Sequence, residues 1–234
     1  MNMLMSNDEE AIKKITLFYC AVTSVTSTSL IFILLQSETY LILGSRQIVP
    51  LFLVLTFSEV VKWCIQSIIY KNVYSSVFKK RTTFDLLMSS IDFSEIFRSV
   101  CVLCVSCIAF YVITVLFGAQ LLSNQEETLM FSILLTNLTI LPISVQFGST
   151  YVDNFIQRVL PTSKFDSLVF NNAYGALLGA WFGAFVIPLD WDRPWQVWPI
   201  PCSLGTLFGY SISNNLHLLQ MIIIYLRTYK KKYI

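Results

Sequence analysis

Glu59 and Lys62 are the residues best placed to do chemistry, because they put an acid and a base three positions apart in an otherwise apolar stretch. On a helix, this spacing places both side chains on one face. Such a pair could bind a lipid headgroup or relay a proton, since charges inside membrane helices are rare and often functional. Alternatively the two charges neutralise each other, or polar side chains on adjacent helices satisfy them. We favour this structural role.

A second polar patch surrounds His217, the single histidine of the chain, with Asn214, Asn215 and Gln220 nearby. We expect these side chains to form hydrogen bonds between helices. A single histidine also excludes enzymes that need two or more, such as zinc hydrolases built on an HExxH helix.

Three cysteines, Cys101, Cys104 and Cys107, have the spacing of a thiolate metal cluster. They lie in an uncharged apolar stretch without a nearby histidine or fourth ligand, so we expect them to behave as small apolar side chains. The other three cysteines are scattered and do not suggest a disulfide framework. We therefore expect no metal and no other cofactor.

The composition predicts an integral membrane protein of the all-α class. Apolar residues make up 55% of the chain and charged residues only 13%, against about 25% charged in soluble proteins, and the mean hydropathy is +0.65. A helical span needs about 20 mostly apolar residues, and no soluble domain fits between the apolar stretches. Residues 1–234 therefore form one multi-pass membrane domain. Its six predicted spans cover about 15–36, 48–70, 99–122, 128–147, 168–189 and 200–226.

The distribution of lysine and arginine predicts the orientation of these spans. Six spans place almost all of these cations on one side of the membrane, with only Arg46 and Arg193 on the other and Lys62 inside a span. By the positive-inside rule, both termini are cytosolic. The loops near 37–47, 123–127 and 190–199 then face the lumen. A stretch on the cytosolic side, 79–98, is either a short interfacial helix or a solvated loop.

The lumenal loop near residue 190 holds the last candidates for chemistry. Its acids, Asp190 and Asp192, could suggest carboxylate catalysis or a cation site, but few other lumenal acids and no lumenal histidine are expected to join them. We expect Arg193 to pair with one of the two acids and fix the turn. The tryptophans of this loop suit the membrane interface, and Pro194 is one of the prolines that stop the helix here. These tryptophans are Trp191, Trp195 and Trp198.

Before this loop, Gly175, Gly179 and Gly183 recur at every fourth position. On a helix they line one face and allow a neighbouring backbone to approach closely, which is a main route to helix association in lipid. The pattern predicts a packing face, and we assign that face to a partner protein. Gly205 and Gly209 are equally eligible, so the sequence does not say which glycines meet another chain.

The same region carries a family resemblance. The run GAWFGAFVIPLDWDRPWQVWPIP, residues 179–201, resembles the signature of the PIG-F family of endoplasmic-reticulum membrane proteins. The resemblance implies a non-catalytic accessory subunit that associates with and stabilises an ethanolamine phosphate transferase of glycosylphosphatidylinositol (GPI) anchor synthesis. It also implies that the chemistry belongs to that partner, which transfers ethanolamine phosphate onto the glycolipid. We expect membrane lipid as a further partner and no nucleic acid.

The end of the sequence predicts the same location. Lys231 and Lys232 are followed by two residues, a pattern similar to the retrieval signal on the cytosolic tails of endoplasmic-reticulum residents. Basic tails next to a span also bind anionic lipid, but a cytosolic C-terminus favours retrieval.

Two other functions remain as alternatives. A lipid-handling protein or scramblase would use Glu59, Lys62, Asn215 and His217 as a polar path through the bundle. A membrane enzyme would use the two acids of the lumenal loop, which the shortage of convergent groups makes the weaker hypothesis.

Overall fold

The computed structural model describes residues 2–75, 93–120, 123–189 and 191–232, and these residues form seven α-helices and no β-strand. Three short 3-10 turns lie in the connections after the first helix and before the last. The helices are α1 (Asn2–Gln36), α2 (Val49–Ser75), α3 (Phe93–Leu116), α4 (Gln125–Phe147), α5 (Thr150–Ile156), α6 (Lys164–Ala184) and α7 (Ile200–Lys232).

Within the described residues, four helical segments are long and apolar enough to cross a membrane, by length and composition. This finding confirms an all-helical fold with the character of a membrane protein. The sequence placed the third span at 99–122, whereas α3 begins at Phe93 and ends at Leu116. The four segments are Ile12–Gln36, Arg46–Ile68, Phe93–Leu116 and Gln125–Phe147.

Helix α4 lies at the centre of the bundle and α3 lies at its edge. In its most apolar stretch, 78% of α4 is buried inside the protein, against 6% for α3. Helices α2, α3 and α6 pack around α4, and α1 packs against α2 and α7. Because α3 has α4 as its main neighbour, most of its apolar surface faces away from the protein.

Local signals in the sequence fix the start of α6. Ser163 precedes the helix and accepts a hydrogen bond from the backbone N–H of Asp166 at 3.0 Å, while the Asp166 carboxylate accepts one from the backbone N–H of Ser163 at 3.1 Å. This reciprocal pair satisfies two N–H groups that the first helical turn cannot satisfy itself.

The predicted interfacial helix at 79–98 falls largely outside the described residues. Its final residues, from Phe93 onward, belong to the first turns of α3.

Candidate functional site

The closest helix contact in the described structure joins α6 to α7. A Cβ atom added at Gly175 would lie 2.7 Å from the carbonyl oxygen of Gly209, and one added at Gly179 would overlap the backbone of Gly205. One added at Gly183 would meet the backbone of Pro201. The two backbones therefore touch along a line of glycines, which we call the glycine seam: Gly175, Gly179 and Gly183 of α6 with Gly205 and Gly209 of α7.

The glycine seam corrects the assignment made from the sequence. Gly175, Gly179 and Gly183 were expected to pack against a partner protein, but α7 of the same chain fills that face. The physical reason is that Gly205 and Gly209 repeat the four-residue spacing on α7. The two flat faces therefore fit each other, and no room is left between them for a second chain.

Polar side chains continue the contact between α6 and α7 at one end of the glycine seam. Ser213 Oγ donates a hydrogen bond to the carbonyl of Asn171 at 2.9 Å. The Asn171 Nδ2 atom lies 2.9 Å from Nε2 of His217, within hydrogen-bonding distance. His217, singled out in the sequence, therefore joins the two helices.

On the buried side of the same helix pair, two asparagines connect three helices. Asn172 Nδ2 donates to Asn214 Oδ1 at 3.2 Å, and Asn214 Nδ2 donates to the carbonyl of Cys20 in α1 at 2.9 Å. Asn215, the next residue, accepts a hydrogen bond from Ser24 of α1. These bonds hold α1 against α6 and α7.

Glu59 and Lys62 form a buried ion pair on α2, as their three-residue spacing predicts. Lys62 Nζ also donates to Thr23 Oγ1 at 3.0 Å and lies 4.3 Å from the centre of the Tyr19 ring. The Tyr19 hydroxyl donates to the other carboxylate oxygen of Glu59 at 3.1 Å. We call these four residues, Tyr19, Thr23, Glu59 and Lys62, the charged cluster; it joins α2 to α1.

A small pocket adjoins the charged cluster, between α1, α2, α4 and α7. Its volume of about 20 Å³ is enough for one water molecule and is smaller than a phospholipid headgroup. Polar residues beside the charged cluster line it, among them Ser58, Asn137 and Tyr210. Asn137 Oδ1 accepts a hydrogen bond from Thr56 at 3.0 Å, so this lining also connects α2 to α4.

The loop before α7 is held by an amide and an indole. Gln196 Nε2 donates to the carbonyl of Val186 at 2.7 Å, and Trp198 Nε1 donates to Thr128 Oγ1 at 3.2 Å. The Trp198 ring also packs edge-on against Phe131, with ring centres 5.4 Å apart. The sequence singled out Trp198 for its ring but missed Gln196, whose only signal is an amide in an apolar, proline-rich stretch.

Of the two acids expected to pair with Arg193, the structure describes only Asp192. Asp192 and Arg193 are both exposed, and no ion pair joins them. Asp192 has a positive φ of 48°. Asp190 lies outside the described residues. Trp191 is exposed beside the half-buried Trp195, and Pro194 opens a short 3-10 turn.

The structure does not gather the remaining residues singled out in the sequence into a site. Cys101 and Cys104 are exposed on α3 and Cys107 is half-buried; among the described residues, no three His, Cys, Asp or Glu side chains are arranged to hold a metal ion. The backbone of Lys231 and Lys232 ends α7, while the residues after them lie outside the described part of the chain.

Comparison with known proteins gives one family and several relatives. The model of the GPI biosynthesis protein family Pig-F matches residues 17–218. The stabilizing subunit of GPI ethanolamine phosphate transferase from Homo sapiens is 41% identical over 107 residues, which cover 45% of this chain and 49% of that protein. The Mus musculus subunit of the same name is 40% identical over 114 residues, covering 47% and 52%.

A fusion protein from Schizosaccharomyces pombe, named PIGF/3-ketodihydrosphingosine reductase, is 40% identical over 105 residues, which cover 43% of this chain and 20% of that protein. The matched region thus spans about half the length of the human and mouse relatives. No solved structure matches the chain. Because the family model covers most of the sequence, from residue 17 to residue 218, the chain belongs to the GPI biosynthesis protein family Pig-F.

Proposed function

We propose that this chain is a non-catalytic accessory subunit that binds and stabilises an ethanolamine phosphate transferase of GPI-anchor biosynthesis. The observation that carries the proposal is the family membership, together with human and mouse relatives named as the stabilizing subunit of that transferase. A subunit that binds only the folded form of its partner shifts the partner's unfolding equilibrium toward the native state.

The interior of the bundle supports a structural role. Glu59 and Lys62 neutralise each other, and Asn215 and His217 are hydrogen-bonded to neighbouring helices. Groups that satisfy one another inside the protein add specificity to helix packing. The pocket beside the charged cluster has room for one water molecule, so it does not favour lipid handling.

We further propose that all six predicted spans cross the membrane of the endoplasmic reticulum, with both termini cytosolic. At 1.5 Å per residue, α6 with 21 residues and α7 with 33 residues are about 31 and 50 Å long, enough for a hydrocarbon core of about 30 Å. Their polar residues include Asn172 and Asn214, which are buried in the helix pair. The lysine and arginine distribution and the Lys231-Lys232 pair support this orientation and location.

The transferase must then contact a surface other than the glycine seam. We propose α3, because this helix packs mainly against α4 and only 6% of its most apolar stretch is buried inside the protein. Its exposed stripe includes Val105, Ile108 and Val112. Of the four described segments that are apolar enough to span a membrane, α3 has the smallest buried share.

Affinity capture tests both parts of the proposal. The tagged chain is purified in mild detergent from cells that express the transferase, and the transferase is quantified by mass spectrometry. We expect stoichiometric recovery from wild type and a large loss with Ile108→Trp on α3. The matched control is Leu178→Trp, an equally large change at an exposed site on α6.

If the wild-type chain is recovered without any transferase, the accessory function is wrong. If Leu178→Trp and not Ile108→Trp disrupts the complex, the function stands but the contact surface is wrong.

A further inference from the structure

Large apolar side chains are exposed in the connection between α4 and α6. Leu160 is 85% exposed, Ile156 is 67% exposed and Val159 is 46% exposed. They lie outside the four segments that are apolar enough to span a membrane. Leaving such side chains in water forgoes roughly 1.5–3 kcal/mol each relative to full burial, so their exposure calls for an explanation.

The connection is fixed to the protein by its other face. The Phe155 ring stacks on Tyr174 of α6 at 4.8 Å between ring centres and meets Phe170 edge-on at 5.5 Å. The Tyr174 hydroxyl donates to the carbonyl of Phe155 at 3.3 Å. Since Phe155 and Val152 are buried on this side, the fold holds Ile156 on the outer side of α5.

A contact from α3 fixes the start of the same connection. Glu95 Oε1 accepts hydrogen bonds from both the backbone N–H and the hydroxyl of Ser149, each at 2.8 Å. Ser149 immediately precedes α5, and its side chain makes no capping hydrogen bond to that helix. Helix α5 is therefore held against the ends of both α3 and α4.

With α4 taken to cross the membrane, this position places the exposed side chains at the membrane edge. Helix α4 ends at Phe147, and α5 begins only three residues later, a distance of at most about 10 Å even for an extended chain. The exposed charges of this connection are two cations, Arg158 and Lys164, and one acid, Asp153. A second acid, Asp166, is buried in the hydrogen bonds that start α6. Arg98, at the same end of α3, lies 3.7 Å from Glu95 and is partly neutralised by it.

We propose that Ile156, Val159 and Leu160 insert into the interfacial layer of the bilayer while Arg158 and Lys164 contact anionic lipid headgroups. Apolar side chains beside cations are the pattern of segments that lie in a membrane interface. Because this connection directly follows α4, membrane lipid is the nearest apolar environment for its exposed side chains. The inference rests on α4 crossing the membrane and is independent of the proposed accessory function.

Photocrosslinking tests the insertion directly. p-Benzoylphenylalanine is incorporated at Leu160, and the purified chain is placed in nanodiscs of phosphatidylcholine with a minority of phosphatidylserine. Irradiation should give lipid adducts that intact-protein mass spectrometry detects. The same probe at Asp153, a polar site on the same short helix, is the matched control and should give far fewer adducts.

The lipid selectivity is measured on the same adducts. We expect phosphatidylserine to be over-represented, and each removal of a cation by Arg158→Gln or Lys164→Gln should lower that preference about fivefold. Adducts to protein instead of lipid at position 160, whether to residues 76–92 or to another chain, would overturn the proposal. Equal lipid labelling at positions 153 and 160 would also overturn it.

Discussion

The glycine seam and the charged cluster hold helices together by opposite means. At the seam, α6 and α7 meet through their backbones because five glycines remove the side chains that would separate them. At the charged cluster, α1 and α2 meet through long side chains that end in an ion pair and two hydrogen bonds. The contact between α6 and α7 depends on the absence of side chains, and the contact between α1 and α2 depends on matched polar groups.

The two regions should therefore tolerate different substitutions. A backbone cannot rotate away from an added side chain, so the glycine seam has no room to adapt. A buried ion pair loses most when only one partner is removed, because the other charge stays buried and uncompensated. We therefore predict that adding a side chain disrupts the glycine seam, whereas removing only one partner of the ion pair disrupts the charged cluster.

The largest expected effect comes from Gly179→Leu, which adds a branched side chain where the backbone of Gly205 already lies. The cost should exceed the ~1–3 kcal/mol typical of an overpacked core, because backbone rather than side chain must move. We expect little folded chain to be recovered by size-exclusion chromatography in detergent. Ala184→Leu, at an exposed position in α6, should behave as wild type; recovery of Gly179→Leu at the same level would contradict the seam.

An intermediate effect is expected for Lys62→Met, which leaves the Glu59 carboxylate buried without its cation. Breaking a buried pair in this way costs about 3 kcal/mol or more. The double variant Glu59→Met with Lys62→Met should recover most of the loss, since apolar replacement of both partners is often neutral. A double-mutant cycle from unfolding in detergent measures the coupling, and strictly additive losses would show that the two charges act separately.

The smallest effect is expected for Thr56→Val, which removes the hydrogen bond to Asn137 on α4. Interhelical bonds of this kind are worth about 0.6 kcal/mol in membranes. Thr28→Val is the control, because the Thr28 hydroxyl bonds only to carbonyls of its own helix, at Ser24 and Val25. The same unfolding assay should separate the two variants, and a larger loss with Thr28→Val would contradict this ranking.

The sequence predicts the helices better than it predicts their partners. Apolar length alone locates the long helices, and the spacing of Glu59 and Lys62 predicts that their side chains meet. The glycine spacing predicts a packing face but not what covers it, because Gly205 and Gly209 carry the same signal as Gly175 and Gly179. Only the folded hairpin shows that the two faces meet each other.

Contacts between distant segments explain the remaining differences. Hydropathy misses the first turn of α3 because Glu95 in that turn is charged. In the fold, the Glu95 carboxylate accepts a hydrogen bond from Ser149. Helix α5 is too short to show a period, and its place depends on Phe155 packing against α6. Gln196 gives no signal because its acceptor, the Val186 carbonyl, is known only from the fold.

The most direct test of the proposed function is the lifetime of the transferase. A pulse-chase experiment would follow an ethanolamine phosphate transferase in cells that lack its stabilizing subunit, with wild-type chain, Gly179→Leu or Ala184→Leu supplied. We expect the wild-type chain and Ala184→Leu to lengthen the transferase lifetime several-fold, and Gly179→Leu to fail because this chain does not fold. An unchanged transferase lifetime at full abundance of the wild-type chain would contradict the accessory function.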